Sequence, residues 1–270
     1  MDKIHKWTDQ ELLALEKRIN REYTKAYNDC KKEMQSIIAK IQSNPEMSLQ
    51  QKMALMNKHD RLEKMCSQMA DSIKNANVVA NKFVTQSTAN VFKNVYNYSA
   101  EQLGFSLIDN TVVKNILTGE VNPFTKLAIA GEKDKQAIMR KLESEMLTGL
   151  LKGESIPHLA KRIKNVSEGY LGNTIRIART ETTRAENSAR NSVGEEGKKK
   201  GLNMWKRWVA TSDERTRDAH LEADGQEVPQ DQPFVVDGEE MMYPGDISLG
   251  ASASNVVNCR CTIVNFIKEE

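Results

Sequence analysis

Cysteine is scarce in this chain: four in 270 residues, at positions 30, 66, 259 and 261. So few, so widely spread, exclude the disulfide framework of a small secreted domain. Long hydrophobic runs are missing too. Nothing approaches the ~20 apolar residues that a membrane-spanning helix needs, and the opening MDKIHKWTDQELLALEKRI has no apolar signal segment. These absences predict a soluble protein made in a reducing compartment, with no membrane partner. There is no GxxxxGK[ST] phosphate loop and no GxGxxG after a strand. Aromatic residues make up only 6%, so the core must be thin and largely aliphatic, while twelve methionines supply adaptable packing surface.

Charge is abundant but unevenly spread. Residues 201–270 hold 6 Lys/Arg against 13 Asp/Glu, a balance of −7; with a net charge of +2 for the whole chain, residues 1–200 carry +9. A basic body suits a polyanionic partner, and solvated helix faces produce the same pattern. The basic residues of one segment, Arg176, Arg179, Arg184, Arg190, Lys198, Lys199 and Lys200, are candidate phosphate contacts. Glu181, Glu186, Glu195 and Glu196 lie among them, so salt bridges within a helix account for part of the pattern.

Apolar periodicity predicts an α+β protein: a mainly helical body with a long N-terminal hairpin, then a small mixed α/β domain. Thr8 and Glu11 fit a capping box, and Leu12, Leu15, Ile19, Ala26, Cys30, Ile37 and Ile41 continue one helix face. After Pro45, Ser48 and Gln51 restart a helix. Leu55, Leu62, Met69, Ala76 and Phe83 then recur at sevens beside His59, Cys66, Ile73 and Ala80. That spacing makes His59 and Cys66 seam residues. Short helices and turns are expected from 99 to 131, a helix over 132–151, and a short helix capped by Ser155. Another runs from Asn173 to Gly194, closed by a flexible GEEGKKKG break. The expected segments are a hairpin over 1–98, a helical body over 99–200 and the small domain over 201–270. Within the last, MWKRWVA and CTIVNFI read as strands, and Asp237-Gly238 as a hairpin turn.

Chemistry-bearing residues gather in that small domain. A short helix capped by Ser212 or Asp213 would put Asp213, Thr216 and His220 on one face. If Cys259 and Cys261 lie in a strand, both project to one side, with Arg260 opposite. Two thiols and an imidazole suit zinc, with Asp213, Asp246 or water as the fourth ligand; two buried core thiols, a redox pair and a Cys-His nucleophile are the other readings. No motif demands a cofactor, and a structural zinc is the one the residues admit. Trp205 and Trp208 read as anchors of the small core or as stacking platforms for bases.

ARTETTRAENSARN, then W-x2-W-x4-DERTRDAH, DG, YPGD and NCRC, in that order, resemble phage head morphogenesis proteins, the minor head proteins similar to the Mu F protein. The likeness covers roughly residues 130–265. It implies a virion component at the interior of the head or the portal vertex, assembled in the host bacterial cytoplasm. It also implies portal, capsid or scaffold partners, contact with phage DNA, and a role in packaging or delivery of that DNA. It implies no enzymatic activity. Some relatives carry a fused toxin domain such as an ADP-ribosyltransferase, and no such domain is expected after Phe266. The competing reading is a metal-dependent hydrolase or nuclease using Asp213, His220 and the cysteine pair.

Overall fold

The computed structural model describes residues 2–42, 48, 51, 59–104, 132–152 and 154–269. The fold is α+β, with long helices first and a small antiparallel sheet region last. Among the described residues, four long helices come first: α1 (Lys3–Gln42), α2 (His59–Gln102), α3 (Glu132–Leu151) and α4 (Ile156–Lys199). Then follow β1 (Met204–Val209), α5 (Asp218–Glu222), β2 (Glu227–Pro229), β3 (Phe234–Val236), β4 (Glu239–Met241), α6 (Ala253–Val256) and β5 (Thr262–Ile267). Leu55 and the side chains of Ile37, Ile41, His59, Leu62 and Leu150 lie outside the described residues. So do most of the turn expected around Pro45 and the short helices expected within 105–131. No helix among the described residues is long and apolar enough to cross a membrane.

Described residues within Lys17–Lys82 and Ala128–Ile175 form one compact unit. Its core is the predicted stripe. Ile19, Cys30, Cys66, Met69, Ile73 and Ala80 are buried, and Ile138, Leu142 and Met146 of α3 join them in burial. Tyr23 donates its hydroxyl proton to Asn77, and Cys30 Sγ reaches the Met69 carbonyl at 3.7 Å, so α1 and α2 run antiparallel. Thr174 on α4 completes the contact, 2.7 Å from the Tyr23 hydroxyl. Ser48 and Gln51 do form a reciprocal cap, at 2.8 and 3.2 Å.

Thr8 and Glu11 do not cap α1. The helix starts five residues earlier, where Asp2 accepts the His5 amide at 3.0 Å, and Thr8 bonds back to the Ile4 carbonyl from inside the helix. Nor is GEEGKKKG a break, since α4 is one continuous helix of 44 residues. Gly194 and Gly197 are buried, and Gly194 permits the close approach of the Gln230 side chain. The real stop is Gly201 at φ 86°, whose amide bonds Lys198 O while the Leu202 amide bonds Gly197 O. That pair of bonds is a Schellman closure.

The second unit gathers described residues within Met1–Glu16, Phe83–Leu127 and Arg176–Glu270. Ile4, Val91, Phe92, Val95, Ala185, Ala189 and Val193 form one of its cores. In the sheet region, β1 pairs antiparallel with both β2 and β5, giving the order β2-β1-β5. β3 and β4 form a separate hairpin across Asp237 and Gly238, both at positive φ (51° and 73°), as the dipeptide predicts. Trp208, Phe234, Val236, Met241, Cys259, Cys261 and Ile263 make the local core. Trp208 is therefore a core anchor, and the half-buried Trp205 carries the Lys268 ammonium 3.5 Å over its ring.

Candidate functional site

The C-terminal part of α4 presents a polar stripe to the chain around NCRC. Thr180 Oγ1 accepts the Asn258 amide at 3.1 Å, and Thr183 Oγ1 donates to the Cys259 carbonyl at 2.7 Å. Asn187 donates to the Cys261 carbonyl and accepts the Ile263 amide, each at 3.0 Å. These three side chains, spaced by three and four, lie on one helix face. They satisfy the backbone of residues 258–261, which no strand pairs because β5 begins only at Thr262, and the Ile263 amide within β5. One turn along, Arg184 donates to the Gly245 carbonyl of YPGD at 2.8 Å and pairs with Glu181 at 2.8 Å. Burial raises the Glu181 carboxyl above its usual range, against the pull of Arg184.

Beside that stripe lies a buried charge network. The Glu186 carboxylate accepts from His5 Nδ1 at 2.8 Å, from Arg190 at 3.1 Å and from the Thr262 hydroxyl at 3.1 Å. Arg190 also donates twice to Asp2, at 2.9 Å each. Burial opposes ionisation of Glu186, but the His5 bond and the charges of His5 and Arg190 outweigh it and hold the group below its usual range. Burial likewise works against the proton on His5, and the Glu186 carboxylate overcomes it and raises that pKa. The network joins α1, α4 and β5 within one unit.

Cys259, Cys261 and His220 are brought together. His220 Nδ1 is 3.4 Å from Cys261 Sγ and 3.5 Å from Cys259 Sγ, and all three residues are buried. The cysteines are not on a strand as expected. They stand in the irregular segment before β5, where Asn258 at φ 56° turns the chain, yet both thiols still face inward while Arg260 faces out. The bond between the two thiols, with burial, raises Cys259 well above the usual thiol range. The same bond, with His220, lowers Cys261.

Asp213 is not in this cluster. Helix α5 starts only at Asp218, so Asp213 and Thr216 sit in the preceding turn, where Asp213 accepts the Arg215 amide at 3.0 Å and pairs with the outward Arg260 at 2.5 Å. Among the described residues, the group of side chains placed so that it could hold a metal ion is His220, Cys259 and Cys261. A cavity of about 10 Å³ adjoins it. A larger cleft of about 580 Å³ nearby is lined by His5, Asp9, Glu16, Arg179, Arg215 and Arg260 and does not include the thiols or His220.

The seven basic candidates do not form one surface. Arg184 and Arg190 are buried in ion pairs, and Arg179 is half-buried against Glu16 at 2.6 Å. Arg176, Lys198, Lys199 and Lys200 are exposed, with Lys198 paired to Asp231 and Lys200 to Glu196. Sequence reasoning missed Lys206. Strand alternation puts it on the inner face with Met204 and Trp208, where it donates to the Met242 carbonyl at 2.8 Å. Burial pushes its pKa down to about 8.

Compared with known proteins, residues 140–264 match the family described as Phage Mu protein F like protein. The chain is 26% identical over 278 residues to Minor head protein GP7 of Bacillus phage SPP1, spanning all of this chain and 87% of that protein. It is 31% identical over 175 residues to NAD(+)--arginine ADP-ribosyltransferase EFV of Enterococcus faecalis, covering 63% of this chain but only 35% of that protein. No solved structure matches.

Proposed function

We propose that this chain, whose residues 140–264 match the family described as Phage Mu protein F like protein, is a minor head protein of a tailed phage, docked to the portal or inner capsid and carried in the virion. The observation that carries the proposal is the likeness to a protein named as a minor head protein along the whole of this chain. The long helices of the Lys17–Lys82 and Ala128–Ile175 unit supply charged outer faces of the kind that dock on a large oligomer. Contact with phage DNA falls to the exposed Arg176, Lys198, Lys199 and Lys200, because Arg184 and Arg190 are buried and Arg179 is half-buried against Glu16.

The proposed role is non-catalytic. The cluster of His220, Cys259 and Cys261 adjoins a cavity of about 10 Å³, too small for a substrate, and Asp213 is bound to Arg260. These observations weigh against a hydrolase or nuclease. The relative named for arginine ADP-ribosylation shares a segment that is only 35% of its length, so that activity is not assigned to this chain.

The test is co-expression of the chain with the portal and major capsid proteins of its phage. The chain should appear in purified procapsids and co-elute with the portal ring. Procapsids that form normally while all of the chain stays unassembled would overturn the proposal. Transfer of label from NAD to arginine by the purified chain would overturn its non-catalytic part.

A further inference from the structure

We infer that His220, Cys259 and Cys261 bind a zinc ion that fastens the segment entering β5 to helix α5. The geometry is the first argument. Two sulfurs stand 3.4 and 3.5 Å from the same ring nitrogen, and all three ligand atoms lie within 4.8 Å of one another. Two sulfurs equally close to one ring nitrogen are placed as the ligands of a single ion are placed. A tetrahedral ion with bonds of about 2.3 Å to sulfur and 2.0 Å to nitrogen sets those atoms about 3.5 Å apart.

Ligand chemistry is the second argument. Two thiolates and one imidazole are a soft to borderline set, which favours zinc over the hard cations that oxygen ligands select. The backbone is also held in advance. Thr183 and Asn187 fix the Cys259 and Cys261 carbonyls at 2.7 and 3.0 Å, the Thr211 hydroxyl holds the Arg260 carbonyl at 2.7 Å, and Asp213 clamps the Arg260 side chain. The ring is oriented by edge-to-face packing on Trp208, with centroids 5.8 Å apart. The cavity of about 10 Å³, lined also by Thr211, Thr216 and Asn258, has room for one water-sized fourth ligand. Each ligand residue is 1% exposed, so the ion is structural.

Elemental analysis of the full chain, purified without added metal or chelator, should find about one zinc per chain. After chelation, melting should fall and two thiols should become reactive at least about tenfold faster, because metal-bound thiolates are protected. Cobalt(II) added to the chelated protein should give thiolate-to-cobalt charge-transfer absorption. The His220→Gln variant keeps both sulfurs and should bind cobalt about 10-fold or more weakly. Zinc below about a tenth of an equivalent, together with no charge-transfer band in a folded sample, would overturn the site. Equal cobalt affinity in His220→Gln would overturn the assignment of His220.

Discussion

Replacing Glu186 by Gln tests whether the buried network holds the start of α1 to α4. The side chain keeps its size but loses its charge. In the wild type that carboxylate accepts from His5 at 2.8 Å, Arg190 at 3.1 Å and Thr262 at 3.1 Å. Removing one partner from a buried charge pair costs about 3–5 kcal/mol. The lower end applies, since Arg190 keeps both 2.9 Å bonds to Asp2 and only its share of Glu186 is lost. About 3 kcal/mol corresponds to a drop of roughly 6–12 °C in Tm for a chain near this length.

The effect should depend on pH in a definite direction. His5 has a raised pKa, so its contribution is complete below its unfolded value of 6.5 and is lost as pH rises through the higher folded value. Glu186 has a lowered pKa, so its contribution is complete above 4.5 and is lost as pH falls through the lower folded value. The variant should therefore be most impaired between those two folded values, and the gap should narrow above the raised value of His5. Thermal melts by far-ultraviolet circular dichroism across that range provide the assay. His5→Gln and the double variant complete the cycle, with an expected coupling of at least about 1 kcal/mol. A Tm within about 2 °C of wild type near pH 6, or strict additivity in the cycle, would refute the reasoning.

Gly194→Ala should destabilise by about 1–3 kcal/mol, because a Cβ there would meet Gln230 Oε1 at 2.2 Å; Gln230→Ala in the same chain should restore most of the loss in denaturant melts. Lys206 is lowered to about 8 in the fold from 10.5, so the native state sheds its proton first and stability should rise with pH across that interval. Lys206→Met should lack that rise, and an identical pH profile for variant and wild type would contradict it. Limited trypsin digestion should spare Lys198 and Lys199, which lie inside a continuous helix ended by the Gly201 closure; first cuts at those residues, mapped by mass spectrometry, would show that α4 ends earlier.

Local signals carried much of the fold. The helix at Glu132–Leu151 has its expected bounds, and the Asp237-Gly238 turn and the strand at Met204–Val209 stand where residue type placed them. These features depend on neighbours in sequence, through periodicity or turn chemistry. What was not legible depends on distant partners. Thr8 and Glu11 look like a cap, but the helix begins at Lys3 because Asp2 both caps it and meets Arg190, 188 residues away. The glycines at 194 and 197 look like breaks, yet both are buried within a continuous helix, and Gly194 is explained once the Gln230 side chain lies against α4. His220 and the two cysteines could be proposed as neighbours from residue type alone. The structure takes another route than a strand and a longer helix: side chains of α4 bond the backbone of residues 258–261 in place of strand pairing, and Asp213 turns to Arg260 before α5 begins.

That replacement explains why the sequence pieces behind the family likeness occur as a set. ARTETTRAENSARN supplies Thr180, Thr183 and Asn187 to the backbone of NCRC and of the strand that follows, and Arg184 to the backbone of YPGD. Within W-x2-W-x4-DERTRDAH, Trp208 packs against His220, and Asp213 holds the arginine between the two cysteines. Asp224 of the DG pair accepts the Ala210 amide at 2.8 Å. Each piece alone is a short polar string with many other uses. Together they are two halves of one set of contacts, in which a helix face replaces a strand for segments with no β partner. A substitution in one half therefore leaves buried donors or acceptors in the other, at about 1–3 kcal/mol each. Most of these residues touch backbone, so the motif preserves a shape, as the proposed structural role requires.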